Sequence, residues 1–196
     1  FESDGRPGYE EVVYLLLYGD LPTSDQLQEM REVLGAGRQL PDGFWEDMIL
    51  RSPSRDIMNG LARSVLAMYS YDENPEDLSV ANVLRQVIGL IASFPAMVAY
   101  GYQAKRHYYD NDSLVIHSPD PTLTTAENLL LMIRPDSTYS ALEAETLDLA
   151  LVLHAEHGGG NNSAFTIHVV SSAATDTYSA IASGVGSLKG LKHGGA

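Results

Sequence analysis

Cysteine is absent from this 196-residue chain. That excludes disulfides, thiolate nucleophiles and thiolate metal sites, and it suits a reducing cytoplasm, the expected location. Positive charge is scarce: 12 Lys and Arg stand against 26 Asp and Glu, a formal net charge of −14. Gripping a phosphate backbone needs clustered cations, so no nucleic-acid partner is expected. An anionic small substrate would need a local cluster of donors to overcome the same repulsion. Long apolar runs are lacking too. The longest, Val87 to Tyr100, holds 14 residues and contains Pro95, short of the roughly 20 that cross a bilayer; it reads as a buried helix, and no membrane partner is expected. No charged leader precedes an apolar stretch at Phe1, and Ala196 falls inside a Gly-rich phrase, so both ends are expected to be cuts.

What is present is helical punctuation. A hydrophobic content of 44% is enough for a real core. Residues 1–8 hold Gly5, Pro7 and Gly8 and read as a loop or frayed end. Aliphatic residues fill 9–18, and Leu21-Pro22-Thr23-Ser24 then separates that helix from a second over 25–34. Gly35 and Gly37 end it, Pro41 and Asp42 open a third through Leu50, and Ser54 caps a fourth over 55–70. Pro75 and Glu76 suit the first turn of a long helix to about His107, in which Val80, Val83, Leu84, Val87, Ile88 and Ile91 keep the three-and-four spacing and Pro95 should kink or break the run. A polar, Pro-rich surface loop over 108–122 is the expected mobile segment. Helices follow over 125–133, 140–156, 163–174 and 176–188, with no strand pair and no internal repeat. The expected fold class is all-α, a large multi-helical domain over 9–196.

Two stretches carry chemistry. In Leu151-Val-Leu-His154-Ala-Glu156-His157-Gly-Gly-Gly160-Asn161-Asn162-Ser163, two histidines three apart share one helix face. Glycines then stop the helix, and Asn161 to Ser163 start the next, whose free amides and positive dipole end favour an anion. The same residues also suit a plain helix cap and loop. Zinc is a further alternative, though metalloprotease histidines stand four apart around a Glu. In Ser187-Leu-Lys189-Gly-Leu-Lys192-His193-Gly-Gly-Ala196, the ring of His193 sits between glycines, where the backbone can be tight and one ring nitrogen can face a substrate.

Together, with His193 lying 36 residues beyond His157, the two stretches resemble the citrate synthase family. Its members carry a His-x-Asp-His-Glu-like phrase followed by Asn, then a Gly-Pro-Leu-His-Gly-like phrase. Tyr14-Leu-Leu-Leu-Tyr-Gly19-Asp-Leu-Pro22-Thr23 and Ala126-Glu127-Asn128-Leu-Leu-Leu-Met132 look like the family's early and middle phrases. Glu156 replaces Asp, Gly158 replaces Glu, and Leu191-Lys192 precedes the second His. The phrase Lys189-Gly-Leu-Lys-His193-Gly-Gly-Ala196 is similar to a variant of some bacterial members.

The resemblance implies a citrate synthase-like large domain with the small domain outside this chain. It implies an acyltransferase that condenses acetyl-CoA with oxaloacetate, needing no cofactor because acetyl-CoA is a substrate. His193 would be the catalytic donor at the thioester oxygen, His157 and Asn161 would bind oxaloacetate, and His154 would support them by hydrogen bonding. No metal is implied. The catalytic Asp, a further His and the carboxylate-gripping arginines of the family are absent from the chain, so it is expected to be inactive by itself. A homodimer is implied as well. Propionyl-CoA in place of acetyl-CoA, giving 2-methylcitrate, is the alternative within the family; a non-catalytic structural or regulatory module is the alternative outside it.

Overall fold

Among the described residues, 8–156 and 158–195, the computed structural model has eight α-helices, seven of them arranged about one long helix. They are α1 (Tyr9–Tyr18), α2 (Ser24–Ala36), α3 (Ile57–Met68), α4 (Val80–Tyr109), α5 (Thr125–Ile133), α6 (Ala141–His154), α7 (Asn162–Ser171) and α8 (Thr177–Leu188). Among the described residues there is no strand. The expected loop over residues 1–8 lies outside them except for Gly8.

Local chemistry explains most boundaries. Thr23, Thr124 and Ser140 each form a reciprocal capping box with the Gln or Glu three residues on, which satisfies two otherwise orphaned donors at once. Gly19 closes α1 in the left-handed region, at φ 88°, where a side chain would be strained. Four boundaries move from their expected places. The long helix begins at Val80 rather than Pro75, because Asp72 and Asp77 fold their own backbones into turns by accepting from the Asn74 and Ser79 amides, each at 2.9 Å. The stretch from Pro41 contracts to a π-helical turn, Trp45–Leu50, closed by the Arg51 amide donating to the Glu46 carbonyl at 3.0 Å. The sixth helix ends at His154 instead of Glu156. The seventh spans only Asn162–Ser171, and Ala174 turns the chain with φ 57°.

Pro95 does not break α4, which runs 30 residues through it. A mid-helix proline costs about 3 kcal/mol, and here tertiary packing outweighs it. Helices α2, α3, α5 and α8 and the π-helical turn all pack on α4. The main core joins Phe44, Val65, Leu90, Met97, Ala99, Tyr100, Met132 and Val185, while Val13, Met30, Leu34 and Ala92 form a second cluster. By length and composition α4 could cross a membrane, with an 18-residue window of mean hydropathy 1.5, so the shorter apolar run read from sequence understates it. Its buried polar groups are satisfied by protein: Ser93 donates to the Gly89 carbonyl at 2.8 Å, and Gln103 donates to the Ile133 carbonyl at 3.1 Å.

Two buried acids tie helix starts together. Glu10 accepts from the Thr125 amide at 2.8 Å, and Asp148 accepts from the Tyr9 amide at 3.2 Å, each placing negative charge at a helix N-terminus. Burial and the neighbouring Glu10 charge push the Asp148 carboxyl up. Residues 110–124 are strapped to the body. Arg38 donates to the Asp120 carbonyl at 2.7 Å, Asn128 clasps the Asp120 backbone from both sides, and Arg106 pairs with Asp112 at 2.6 Å.

Candidate functional site

Helices α7 and α8 meet at the end of the molecule farthest in sequence from α1, and the site grows from that junction. Asn161 caps α7, its Oδ1 accepting from the Ser163 amide at 2.8 Å and the Ala164 amide at 3.2 Å. Those two amides are therefore occupied, which narrows the expectation of free amides for an anion there. Asn162 Oδ1 accepts from the Ser187 hydroxyl at 2.6 Å, linking the start of α7 to the end of α8. The helices also approach closely at Gly184, where an added Cβ would fall 2.5 Å from Ile167 Cδ1.

Beyond α8 the chain makes successive turns that carry His193. The His193 amide donates to the Gly190 carbonyl at 2.9 Å, and the Gly195 amide donates to the same carbonyl at 3.2 Å. The loop folds back so tightly that a Cβ on Gly195 would lie 2.3 Å from the Lys189 carbonyl oxygen. Glycine after the histidine is therefore a steric requirement. The half-buried His193 ring places Nε2 2.9 Å from Ser163 Oγ. Lys189 reaches the other way, its Nζ 3.2 Å from the carboxylate of Asp56, the cap of α3. The Asp56 carboxyl is held below its usual range chiefly by the Asn59 amide, with burial opposing the shift and Lys189 adding to it.

Of the expected site residues, Asn161 and His193 come to the same end, joined through Ser163, which lies two residues after the cap. His154 is exposed, and its Nδ1 donates to the Ala150 carbonyl of its own helix at 2.7 Å. His157 lies outside the described residues. Among the described residues no three His, Asp or Glu side chains converge as metal ligands. The only polar partner of the His193 ring among them is Ser163. Sequence reading placed Ser163 merely at a helix start and missed both it and Asp56 as partners of the second motif. Ser and Asp at helix starts signal caps, and nothing local shows a second partner brought in from far along the chain.

This geometry holds one imidazole in a tight glycine loop, with one nitrogen anchored and the other open. Residues 3–196 match the family model described as citrate synthase, C-terminal domain. The citrate synthase of Haloferax volcanii is 39% identical over 96% of this chain and 48% of the relative. The 2-methylcitrate synthase 2 of Corynebacterium glutamicum is 32% identical, with the same coverage of 96% and 48%. The solved ternary complex of carboxymethyl coenzyme A and oxaloacetate with the Thermoplasma acidophilum enzyme superposes with a TM-score of 0.83 at 25% identity, over 96% of this chain and 47% of that one. The chain thus spans about half the length of the curated relatives it matches.

Proposed function

The chain belongs to the citrate synthase family, and we propose that the protein carrying it condenses acetyl-CoA with oxaloacetate to give citrate and CoA. The observation that carries the reading is the anchored His193, with Nε2 2.9 Å from Ser163 Oγ. If the Ser163 hydroxyl donates to Nε2, the ring is neutral with its proton on Nδ1. Nδ1–H is then a donor to the thioester oxygen as the methyl proton leaves and the enol forms. The enol carbon attacks the ketone of oxaloacetate, and water then cleaves the thioester. Asn161 and His157 are the proposed oxaloacetate contacts. Among the described residues no carboxylate hydrogen-bonds the His193 ring to take the methyl proton, and the 196-residue chain alone is expected to release no CoA.

The test is oxaloacetate-dependent release of free CoA from acetyl-CoA by the full-length enzyme, with propionyl-CoA run in parallel. A faster turnover of propionyl-CoA would move the assignment to 2-methylcitrate synthase, a reading the 32% identical Corynebacterium relative keeps open. No thioester turnover with either donor would overturn both. The reading extends to a cytoplasmic homodimer needing no cofactor. In support of a dimer, Leu17, Leu78, Val80, Val83, Leu84 and Val87 line an open apolar groove at the start of α4, a surface of the kind that self-association covers. A monomer in sedimentation at micromolar concentration would sink that part.

A further inference from the structure

We infer that Asp56, on a different helix from any motif residue, is a positioning residue for His193 and acts through Lys189. The inference rests on the functional reading above only for its kinetic consequence. The His193 loop has two lateral ties. On one side the ring meets Ser163 on α7; on the other, Lys189 at the loop's root meets Asp56 at 3.2 Å. Lys189 is the residue the loop closes upon, since its carbonyl faces Gly195 so closely that no Cβ fits between them. A shift at Lys189 must therefore move the Gly190–Gly195 turn that holds the His193 backbone. Asp56 is itself fixed, because its Oδ1 accepts from the Asn59 amide at 2.9 Å as the cap of α3, while its Oδ2 faces Lys189. Helix α3 packs on both α4 and α8. The carboxylate thus reports the position of the central core to the loop, and places the imidazole relative to α7.

Both side chains are nearly half exposed, so the pair contributes little to global stability. What it supplies is register, and the test separates the two. Asp56→Asn retains a good helix cap but removes the charge; Lys189→Gln removes it from the other side. In the full-length enzyme each is expected to lower kcat two- to fivefold with KM for oxaloacetate unchanged. The double variant should be no worse than either single one, and Lys189→Arg should recover most of the loss. The 15N signals of the His193 imidazole should shift in both single variants, a readout that does not need turnover and so stands even if the proposed reaction fails. Unchanged kcat and imidazole signals, or losses that multiply in the double variant, would overturn the inference. So would a fall in melting temperature with imidazole signals and kcat intact, which is the behaviour of a merely structural pair.

Discussion

The two ends of α8 show opposite ways of using polar groups. At its start, Asp72 has a side chain only 3% exposed and every oxygen occupied: it accepts from Tyr178 at 2.7 Å, Gln86 at 2.9 Å, Arg85 at 2.7 Å and the Asn74 amide at 2.9 Å. Gln86 in turn accepts from Thr177. Beyond its end, the His193 ring has Ser163 as its one polar partner among the described residues, and the adjoining α7 buries no residue at all. Phe165 on α7 is 61% exposed and Leu153 at the end of α6 is 67% exposed. Saturated networks lock three segments together; the unsaturated end is where a reacting group has room to meet something else.

Breaking the saturated end should cost most. Asp72→Ala takes from Tyr178 its acceptor and from Arg85 and Gln86 one of their partners, and a loss of about 2–3 kcal/mol is expected from urea unfolding; a loss under about 1 kcal/mol would mean the network is loose in solution. The next effect is in the pH dependence. Burial pushes the Asp72 carboxyl up, but the Asn74 amide, Tyr178, Gln86 and Arg85 outweigh it and hold it well below the usual range. Its folded value lies beneath its unfolded one, so its contribution is complete above about pH 5 and drains away as pH falls through the carboxylate range. Asp148, pushed up, works in the opposite sense and offsets part of this. Unfolding followed from pH 6 to pH 2 should show a steep acid limb that Asp72→Asn flattens.

At the open end the effects move from stability to rate. Ser163→Ala removes the anchor of Nε2 and should lower kcat of the full-length enzyme by about tenfold, with stability changed by less than about 1 kcal/mol. Equal losses in both would erase the contrast between the two ends. Smallest of all, Phe165→Ser should alter the unfolding free energy of this chain by no more than about 0.5 kcal/mol. A loss above about 2 kcal/mol would show that the face is covered in solution.

Much of the fold is legible locally. Thr23-Ser24-Asp25-Gln26 and Thr124-Thr125-Ala126-Glu127 are capping boxes that can be read by eye, and both helices begin where the cap says. The candidate site is half legible. A histidine wedged before two glycines announces a tight loop, and Asn161 announces a cap. Ser163 and His193 stand 30 residues apart, Asp56 and Lys189 farther still, and neither pairing leaves any trace in spacing or composition.

The sequence by itself determined where α1, α2, α5 and α8 start, within a residue, because capping acts over three or four residues. Only the tertiary structure decided that α4 should pass through Pro95, since that local cost is outweighed by the packing of four helices around it. It also decided that His193 should be held from α7 while its loop is held from α3. Those are contacts between segments distant in the chain, and they exist only once the core has brought the helices together.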